Sequence, residues 1–446
     1  MAAERVGEKE GMDHEAEQPS QPEPRSRLAR LLALNRTVAV VLAAVLFFGL
    51  GEQLWEQFMP AFLRAQTKEA ARTTGTGQDV SLVVLWTVGI YACLRNLFEG
   101  FCYIGGGQLT GRLGDRGSLL LFGILTVAGY LLFLFSSSAA VTVVAALLIM
   151  GWEPLAVPVT FTTVGSTVDP SQRGMAFALQ SIQKRLPKVL GPAIAGFVLD
   201  AAAESRGEIE GHDLGMRILV AIALGLALVS LAIQARWMPH RPPTASSASS
   251  REIVRRFPLT LRRLLLAEVF TRWCDWLVRE FLFLYLYLFR GVPARYIGLL
   301  IAVQNTTALL TYLPVGRMTK TVGLQPFVRV TFVFFALFPL VLALVPGGGW
   351  LVLAYVVYGL REIGEPARKA MITSLLPEDV RARGVGLYWG LRSFALCTAS
   401  LAGAAIWHAF GPQTLLFLAS ALGFVGAGVF YLLCRTSPPQ PQRATS

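Results

Sequence analysis

The chain has 446 residues, of which 54% are hydrophobic and 15% are charged, and its formal net charge is +12. Together with a mean hydropathy of +0.54, this composition excludes a water-soluble surface over most of the chain. The basic residues lie in short connections without interleaved aromatic residues, so the positive charge does not indicate binding to nucleic acid. The histidines and cysteines have no spacing typical of a metal site, and we expect neither a metal nor a cofactor.

Apolar stretches long enough to cross a bilayer recur from Val38 to Cys434. A spanning helix needs about 20 such residues. In chain order, we predict spans over 38–63, 82–110, 118–136, 140–166, 172–199, 214–238, 262–289, 296–316, 324–345, 350–374, 381–408 and 412–434. The sequence therefore predicts an all-α membrane protein, surrounded by a lipid bilayer, with twelve transmembrane helices in two six-helix bundles.

These spans divide the chain into predicted parts. The parts are a disordered N-terminal tail 1–37, a first six-helix bundle 38–238, a cytoplasmic linker 239–261, a second six-helix bundle 262–434 and a cytoplasmic tail 435–446. The stretch from Pro239 to Pro258 is rich in Pro, Ser and Arg and lacks apolar periodicity, which is typical of a mobile linker on the membrane surface. The first apolar run has no small-residue cleavage site after it, so we interpret it as a span and not as a signal peptide.

Basic residues cluster beside alternate connections, and such clusters usually face the cytoplasm. Arg36 precedes the first span, Arg112 and Arg116 lie between the second and third spans, and five arginines crowd residues 251–263. By contrast, the connection 200–213 is acidic. We therefore predict that both termini face the cytosol and that the chain lies in the plasma (inner) membrane.

The two predicted bundles resemble copies of one unit, which is a strong architectural signal. Matching residues recur at a near-constant offset of about 208 positions. The pairs include Gly151 and Gly359, Pro158 and Pro366, and Arg173 and Arg381. A repeated six-helix unit indicates that the two halves share one fold.

The sequence GRLGDRGS at 111–118 resembles the loop between helices 2 and 3 of the major facilitator superfamily, whose pattern is Gly-x-Leu-x-Asp-Arg-x-Gly-Arg. One residue before the last glycine is missing, and Ser118 stands where a basic residue is usual. The resemblance covers nearly the whole chain between the tails. It implies a monomeric transporter fold in which this loop latches the two halves, whereas an ordinary cytoplasmic turn is the alternative. The candidate conformational residues are Gly111, Asp115, Arg116 and Gly117, with Gly316 and Arg317 in a shorter copy of the motif.

The fifth predicted span carries Gly191-Pro192-Ala193-Ile194-Ala195-Gly196, which resembles the Gly-Pro-x-x-Gly-Gly motif of proton-driven exporters in this superfamily. Ala195 replaces one glycine of that motif. Pro192 removes a backbone donor, and Gly191 and Gly196 allow a neighbouring helix to approach closely. The resemblance favours efflux, and helix packing alone is the alternative.

Ionisable residues inside the predicted spans are the best functional signal, because such groups normally face one another or a wet cavity. Glu52, Glu56 and Glu153 lack an obvious cationic partner on their own helix, and a desolvated carboxylate of this kind tends to take up a proton. Guanidinium groups bind carboxylates or phosphates through paired hydrogen bonds. The proton-coupling candidates are Glu52, Glu56, Glu153 and Asp275. The substrate-binding candidates are Arg95, Arg185, Asn305, Arg361 and Arg392.

Neutralisation between charges is the alternative for each of these residues. Glu268 with Arg272, and Arg95 with Glu99, lie one helical turn apart and would pair on their own helices. The arginines would otherwise pair with the glutamates across the cavity. Both alternatives stay open at the level of the sequence.

The resemblance and the intramembrane charges imply secondary active transport of a small polar or amphiphilic organic solute by alternating access. We expect coupling to protons, with sodium as the other possible ion, and a direction out of the cell. Uptake of an anionic metabolite and a non-transporting receptor or scaffold are the alternatives. The chain contains no motif of a membrane-embedded enzyme, and we expect no enzymatic activity.

Overall fold

The computed structural model describes residues 36–66, 80–156, 173–238, 249–376 and 380–433. Residues 1–35 of the predicted N-terminal tail, linker residues 239–248 and the predicted tail 435–446 lie outside these ranges. The described helices are α1 (Arg36–Gln53), α2 (Met59–Gln66), α3 (Leu82–Phe135), α4 (Ala139–Met150), α5 (Arg173–Arg206), α6 (Glu208–Trp237), α7 (Ser250–Arg255), α8 (Leu259–Val278), α9 (Leu282–Leu284), α10 (Ala294–Val322), α11 (Gln325–Leu344), α12 (Trp350–Leu360), α13 (Glu365–Ser374), α14 (Arg381–Leu396) and α15 (Ala399–Leu433).

Eight helical stretches of the described chain are long and apolar enough to cross a membrane. Seven of them correspond to the first six predicted spans and the ninth. The last stretch, Arg383–Leu433, covers most of the two final predicted spans, which are separated at Gly411, where φ is +81°. The predicted spans 262–289, 296–316 and 350–374 lie in helices that are interrupted or rich in polar residues. The all-α membrane fold is confirmed, and the number of twelve spans stays a prediction.

Several helices are longer than the predicted spans, because hydropathy marks the hydrocarbon thickness and not the length of a helix. Residues 111–113 still belong to the helical part of α3, and the turn comes at Gly114, where φ is +72°. In the second half, α10 continues to Val322 past the predicted end at 316. The acidic connection 200–213 is helical except at Gly207, whose φ of +83° favours glycine.

Some predicted spans are interrupted where they carry charged residues. A 3-10 segment at Glu56–Phe58 separates α1 from α2, and another at Arg279–Phe281 separates α8 from α9. A turn at 361–364 separates α12 from α13, and there the Glu362 N–H donates to the Gly359 carbonyl at 3.1 Å. The predicted spans 38–63, 262–289 and 350–374 therefore each contain a break in the helix, and the first still lies in one stretch long enough to cross a membrane. Such breaks depend on partners from other helices, which hydropathy does not record.

Two seams join the first half of the chain (36–238) to the second half (249–433). In one seam α3 packs against α14 and α15, and in the other α5 packs against α10. The second seam is close: a methyl group added at Gly298 would lie 2.1 Å from the Pro192 carbonyl oxygen, and one at Gly196 would lie 2.5 Å from the Ala294 carbonyl oxygen. Small residues therefore set the distance between the halves.

At one end of the molecule, which we call the Asp200 end, the two halves also meet through polar and aromatic contacts. The Asp200 carboxylate accepts hydrogen bonds from the Ala294 and Arg295 N–H groups at 2.9 and 3.0 Å, and so caps α10. The Phe58 and Phe283 rings lie 5.5 Å apart in an edge contact. The halves are thus closed against each other at this end.

The described part of the predicted linker is packed against the second half. α7 is capped by Ser249, whose hydroxyl accepts a hydrogen bond from the Glu252 N–H at 3.4 Å. Ile253 and Phe257 are buried in a cluster with Leu261. The two apolar side chains give residues 250–257 a site to pack, while the linker at 239–261 as a whole stays a prediction.

Gly298→Ala is expected to lower the stability of the folded protein by about 1–3 kcal/mol, because the new methyl group overlaps the Pro192 carbonyl and must push α5 from α10. The apparent melting temperature in detergent measures the effect. Gly225→Ala in α6 is the matched control, since nothing lies within 4 Å of its added methyl group. Equal melting temperatures for the two variants would contradict a close α5–α10 seam.

Candidate functional site

Two neighbouring cavities lie between the halves and share the lining residues Gln53, Glu153, Lys188, Arg279 and Arg392. The larger one, of about 270 Å³, we call the basic chamber. The smaller one, of about 170 Å³, we call the mixed chamber. Each chamber is bordered by residues of both halves.

The basic chamber is lined by nine basic side chains and three carboxylates. From the first half come Lys184, Arg185 and Lys188, all on α5. From the second half come Arg272, Arg279, Arg361, Arg368, Lys369 and Arg392. The carboxylates are Glu153, Glu362 and Glu365. The wall is therefore mainly basic, although Arg361, Arg368 and Arg279 also pair with carboxylates outside the lining.

Four charged residues link the halves at the helix breaks. Glu56 accepts hydrogen bonds from Arg95 at 2.5 Å and from Arg279 at 3.2 Å. Arg95 also donates to Glu280 at 3.1 Å. Glu56 and Glu280 are buried, and charges at such depth need partners. The breaks in α1–α2 and α8–α9 bring these four groups together.

A second inter-half contact centres on Arg185. Its guanidinium donates to Glu362 at 2.7 Å and to the Asn305 side-chain oxygen at 3.1 Å, and it stacks over Tyr312. Pairing of an arginine with a glutamate across the cavity was one of the alternatives in the sequence analysis, and it occurs at Arg185. Arg185 and Asn305 were predicted as binding residues, and they lie together on the wall of the basic chamber.

Asp275 is held by two partners in the second half. It forms an ion pair with Arg361 and accepts a hydrogen bond from the Tyr358 hydroxyl at 3.1 Å. Arg361 also lies over the Tyr358 ring, 3.9 Å from its centre. Because Asp275 is enclosed and held by these two partners, its contacts are those of a residue that stabilises the fold.

Glu268 is fully buried and is neutralised from other helices. It pairs with Arg368, accepts a hydrogen bond from the Tyr388 hydroxyl at 2.5 Å and lies 3.8 Å from Arg392. Arg272 instead lies 3.4 Å from Glu365. The two alternatives of pairing on one helix, Glu268 with Arg272 and Arg95 with Glu99, do not form.

The carboxylates of the mixed chamber differ in their partners. Glu153 accepts a hydrogen bond from Lys184 at 3.3 Å. Glu52 and Glu99 have no ion pair with any residue that the structure describes. Of the cations, Lys188 likewise lacks one within the described ranges. Lys188 was not among the predicted site residues, although its position one turn after Lys184 on the same helix face is a readable signal.

Other residues of the site were also missed at the sequence level. Glu280, Arg368 and Tyr388 bind predicted charged groups through the hydrogen bonds described above. Tyr388 carries no charge, and Arg368 was assigned to no partner because its neighbour Glu268 is 100 positions away. Contacts between distant segments leave no periodic signal in a sequence.

The predicted conformational residues lie at the ends and seams of the helices. The Arg116 guanidinium donates to the Ala235 carbonyl at 2.6 Å, within the first half. Asp115 and Gly117 follow the turn at Gly114. Gly316 and Arg317 lie within α10, and Gly111 within α3; their side-chain environments fall outside what the structure describes. Gly191, Pro192 and Gly196 face α1 and α10, where an added methyl group at Gly191 would lie 2.7 Å from the Gln53 backbone.

The sequence matches the model of the Major Facilitator Superfamily over residues 44–294 and 280–446. Because these matches cover most of the chain, the chain belongs to this superfamily. A comparison with curated proteins gives no match. The expectation that the loop motif raised is confirmed.

Solved structures of transporters share the fold. The human organic anion transporter MFSD10 (TETRAN) is 18% identical over 88% of this chain and 98% of its own, with a TM-score of 0.66. A POT family transporter in complex with 5-aminolevulinic acid is 15% identical, over 89% of this chain and 98% of its own, with a TM-score of 0.68. The nucleoside transporter NupG is 13% identical, over 88% and 99%, with a TM-score of 0.63. Identities this low show the fold alone, and membership in the superfamily supports a secondary transporter.

Asp275→Asn is expected to destabilise the protein by about 3–5 kcal/mol, because it removes the closest carboxylate of the buried Arg361 and leaves that guanidinium, among the described residues, only Glu362, at 3.6 Å. The double variant with Arg361→Gln should recover part of that loss. Thermal unfolding of the purified variants measures both effects. Glu252→Gln, which breaks an exposed pair with Arg256, serves as the control and should change stability by less than about 1 kcal/mol. A single variant as stable as this control would contradict the structural role of Asp275.

Proposed function

We propose that the chain is a secondary transporter that moves a small organic anion together with protons by alternating access. The observation that carries this proposal is the basic chamber, whose nine basic side chains face three carboxylates between the two halves. Most of these cations have a carboxylate partner, but Lys188 has none among the described residues, so an anion in the chamber would meet an unpaired positive charge. A cargo with carboxylate or phosphate groups fits such a wall.

Proton coupling is supported by Glu52. This carboxylate faces the mixed chamber and has no ion pair among the described residues. Glu52 is half-buried, and taking up a proton removes the cost of holding its charge away from bulk water without a paired cation. Glu56, Glu153 and Asp275 are held by basic partners, so Glu52 is the best candidate of the four for the proton site.

Alternating access is supported by the arrangement of the helices. The chambers lie beside the breaks that follow α1, α8 and α12, and the halves meet at the Asp200 end through side chains that can separate without breaking a helix. Broken helices at a central site are typical of transporters that rock one bundle against the other. With both termini in the cytosol, as the arginine distribution predicts, the Asp200 end faces outward in the plasma membrane.

The direction that we propose is uptake, with the anion and the proton moving together. The Gly191-to-Gly196 segment favoured efflux, yet its glycines and Pro192 are accounted for by contacts with α1 and α10. The basic chamber favours the other candidate, the uptake of an anionic metabolite. The fold neighbour MFSD10 is named as an organic anion transporter, which agrees with cargo of this class.

Proteoliposomes that contain the purified chain and a trapped pH indicator provide the test. With an acidic external medium free of sodium, addition of external succinate should carry protons inward and acidify the lumen. Glu52→Gln should slow this proton movement at least about tenfold, because an amide cannot carry the proton. Glu252→Gln, an exposed site remote from the chambers, should transport as the unsubstituted chain does.

Three outcomes decide between the candidate functions. Proton movement that requires sodium would identify sodium as the coupling ion and overturn the proposed proton coupling. Solute movement out against inward protons would favour efflux. The absence of any flux of organic anions or other organic solutes through correctly inserted protein would point to a receptor or scaffold.

A further inference from the structure

Two cations in the wall shared by the chambers lack a close carboxylate of their own. Lys188 has no ion pair within the described ranges. Arg392 lies 3.8 Å from Glu268, a carboxylate that Arg368 and Tyr388 already engage, and its Nε is buried without a hydrogen-bond partner. Lys188 comes from the first half and Arg392 from the second, and both line both chambers. Together they offer two positive charges to one occupant.

Two carboxylates of the mixed chamber, Glu52 and Glu99, likewise lack a close cation of their own within the described part of the chain. Glu52 and Glu99 form no ion pair with any described residue, and both line the mixed chamber together with Lys188 and Arg392. At longer range Arg95 acts on both carboxylates, Lys188 acts on Glu52, and Arg392 acts on Glu99. The other charged groups that face Glu52 are Glu56 and Glu153. Those that face Glu99 are Arg279 and Glu153.

We propose that Glu52 and Glu99 compete with the cargo for Lys188 and Arg392, and that the cargo is a compact dianion, a dicarboxylate or a phosphate monoester. This inference rests on the proposed function and specifies its cargo. Two protons bind to the two carboxylates, and the two negative charges of the cargo take their place beside the two cations. One transport cycle then moves no net charge.

The balance of charge in the mixed chamber carries the argument. Its lining has four carboxylates, Glu52, Glu56, Glu99 and Glu153, and four cations, Arg95, Lys188, Arg279 and Arg392. Binding a dianion alone would leave excess negative charge in a buried site, and binding two protons alone would leave excess positive charge. Each state is costly in a poorly solvated cavity, and binding both removes the cost. Proton binding and anion binding therefore strengthen each other by the same factor.

The same balance predicts which anions are selected. A monocarboxylate would leave one of the two cations without a negative charge, so it should bind more weakly than a dicarboxylate of similar size. The chambers, of about 270 and 170 Å³, have room for a compact molecule. A bulky or mainly apolar anion would bury little against walls dominated by charged side chains.

Thermal stabilisation of the purified full-length chain measures binding directly, because a ligand of the folded state raises stability in proportion to the logarithm of its concentration over Kd. The probes are succinate and glycerol 3-phosphate, with acetate as the monoanion, at constant ionic strength. We expect at least one dianion, with its Kd expressed on the concentration of the dianionic form, to bind at least about tenfold more tightly than acetate, and more tightly at about pH 6.5 than at about pH 8, since lower pH neutralises the competing carboxylates.

Substitutions separate the cations from the carboxylates. Lys188→Gln and Arg392→Gln should each weaken dianion binding about tenfold or more, whereas Lys188→Arg should keep most of it. Glu52→Gln and Glu99→Gln mimic the protonated forms, so each should bind the dianion near neutral pH more tightly than the unsubstituted chain and with less dependence on pH. Arg256→Gln removes an exposed positive charge outside the chambers and serves as the control.

The proposal fails if neither dianion stabilises the protein, if acetate binds as tightly as succinate, or if Lys188→Gln and Arg392→Gln bind as the control does. It also fails if the glutamine variants at Glu52 and Glu99 keep the full dependence on pH, or if succinate-driven flux in proteoliposomes changes with an imposed membrane potential. Binding of dianions without any flux would leave this site standing and overturn the proposed transport. Flux of monoanions that is insensitive to Lys188 would overturn the site and leave transport standing.

Discussion

The cost of burying charge away from water governs this molecule. Carboxylate and guanidinium groups occupy the interior of a bundle whose outer surface is apolar, and each of them must find a partner or remain in contact with a wet cavity. Most find a partner on another helix, as Glu268 does with Arg368 and Arg185 does with Glu362. Among the residues that the structure describes, Lys188, Glu52 and Glu99 form no ion pair, and they border the two chambers. The pattern of pairing thus separates residues that hold the bundle together from residues available to a solute or a proton.

The interrupted helices are the structural means by which the charges meet. Glu56 and Arg279 both lie in 3-10 segments at helix breaks, and there Arg279 and Arg95 each donate a hydrogen bond to the Glu56 carboxylate. The cost of the lost regular hydrogen bonds is offset by charge-assisted hydrogen bonds between the halves. Because these contacts join the two halves and are not covalent, the same groups that stabilise one arrangement can release it. That property is what alternating access requires of a central site.

Many features of the architecture were readable from composition and spacing. Apolar runs of spanning length, arginines beside alternate connections and a repeat near 208 positions indicated a membrane protein of two related halves, and the loop at 111–118 indicated its superfamily. The charged groups near mid-membrane were also identified, and several of them line the chambers. Helix ends and breaks were predicted less well. The helices α5 and α6 extend through a connection predicted from its acidic residues, and the break between α1 and α2 lies inside one predicted span.

The sequence by itself determined that the chain lies in lipid and which ionisable residues its apolar spans contain. Those residues cannot face the lipid. Only the tertiary structure decided which of those groups are neutralised. Glu268 and Arg368 are 100 positions apart, and Glu56 and Arg279 are 223 apart. Their contact depends on the crossing of helices and on backbone turns that no local pattern records. Such pairs depend on distances in space, so they can be identified only from the tertiary structure in which the two halves are in contact.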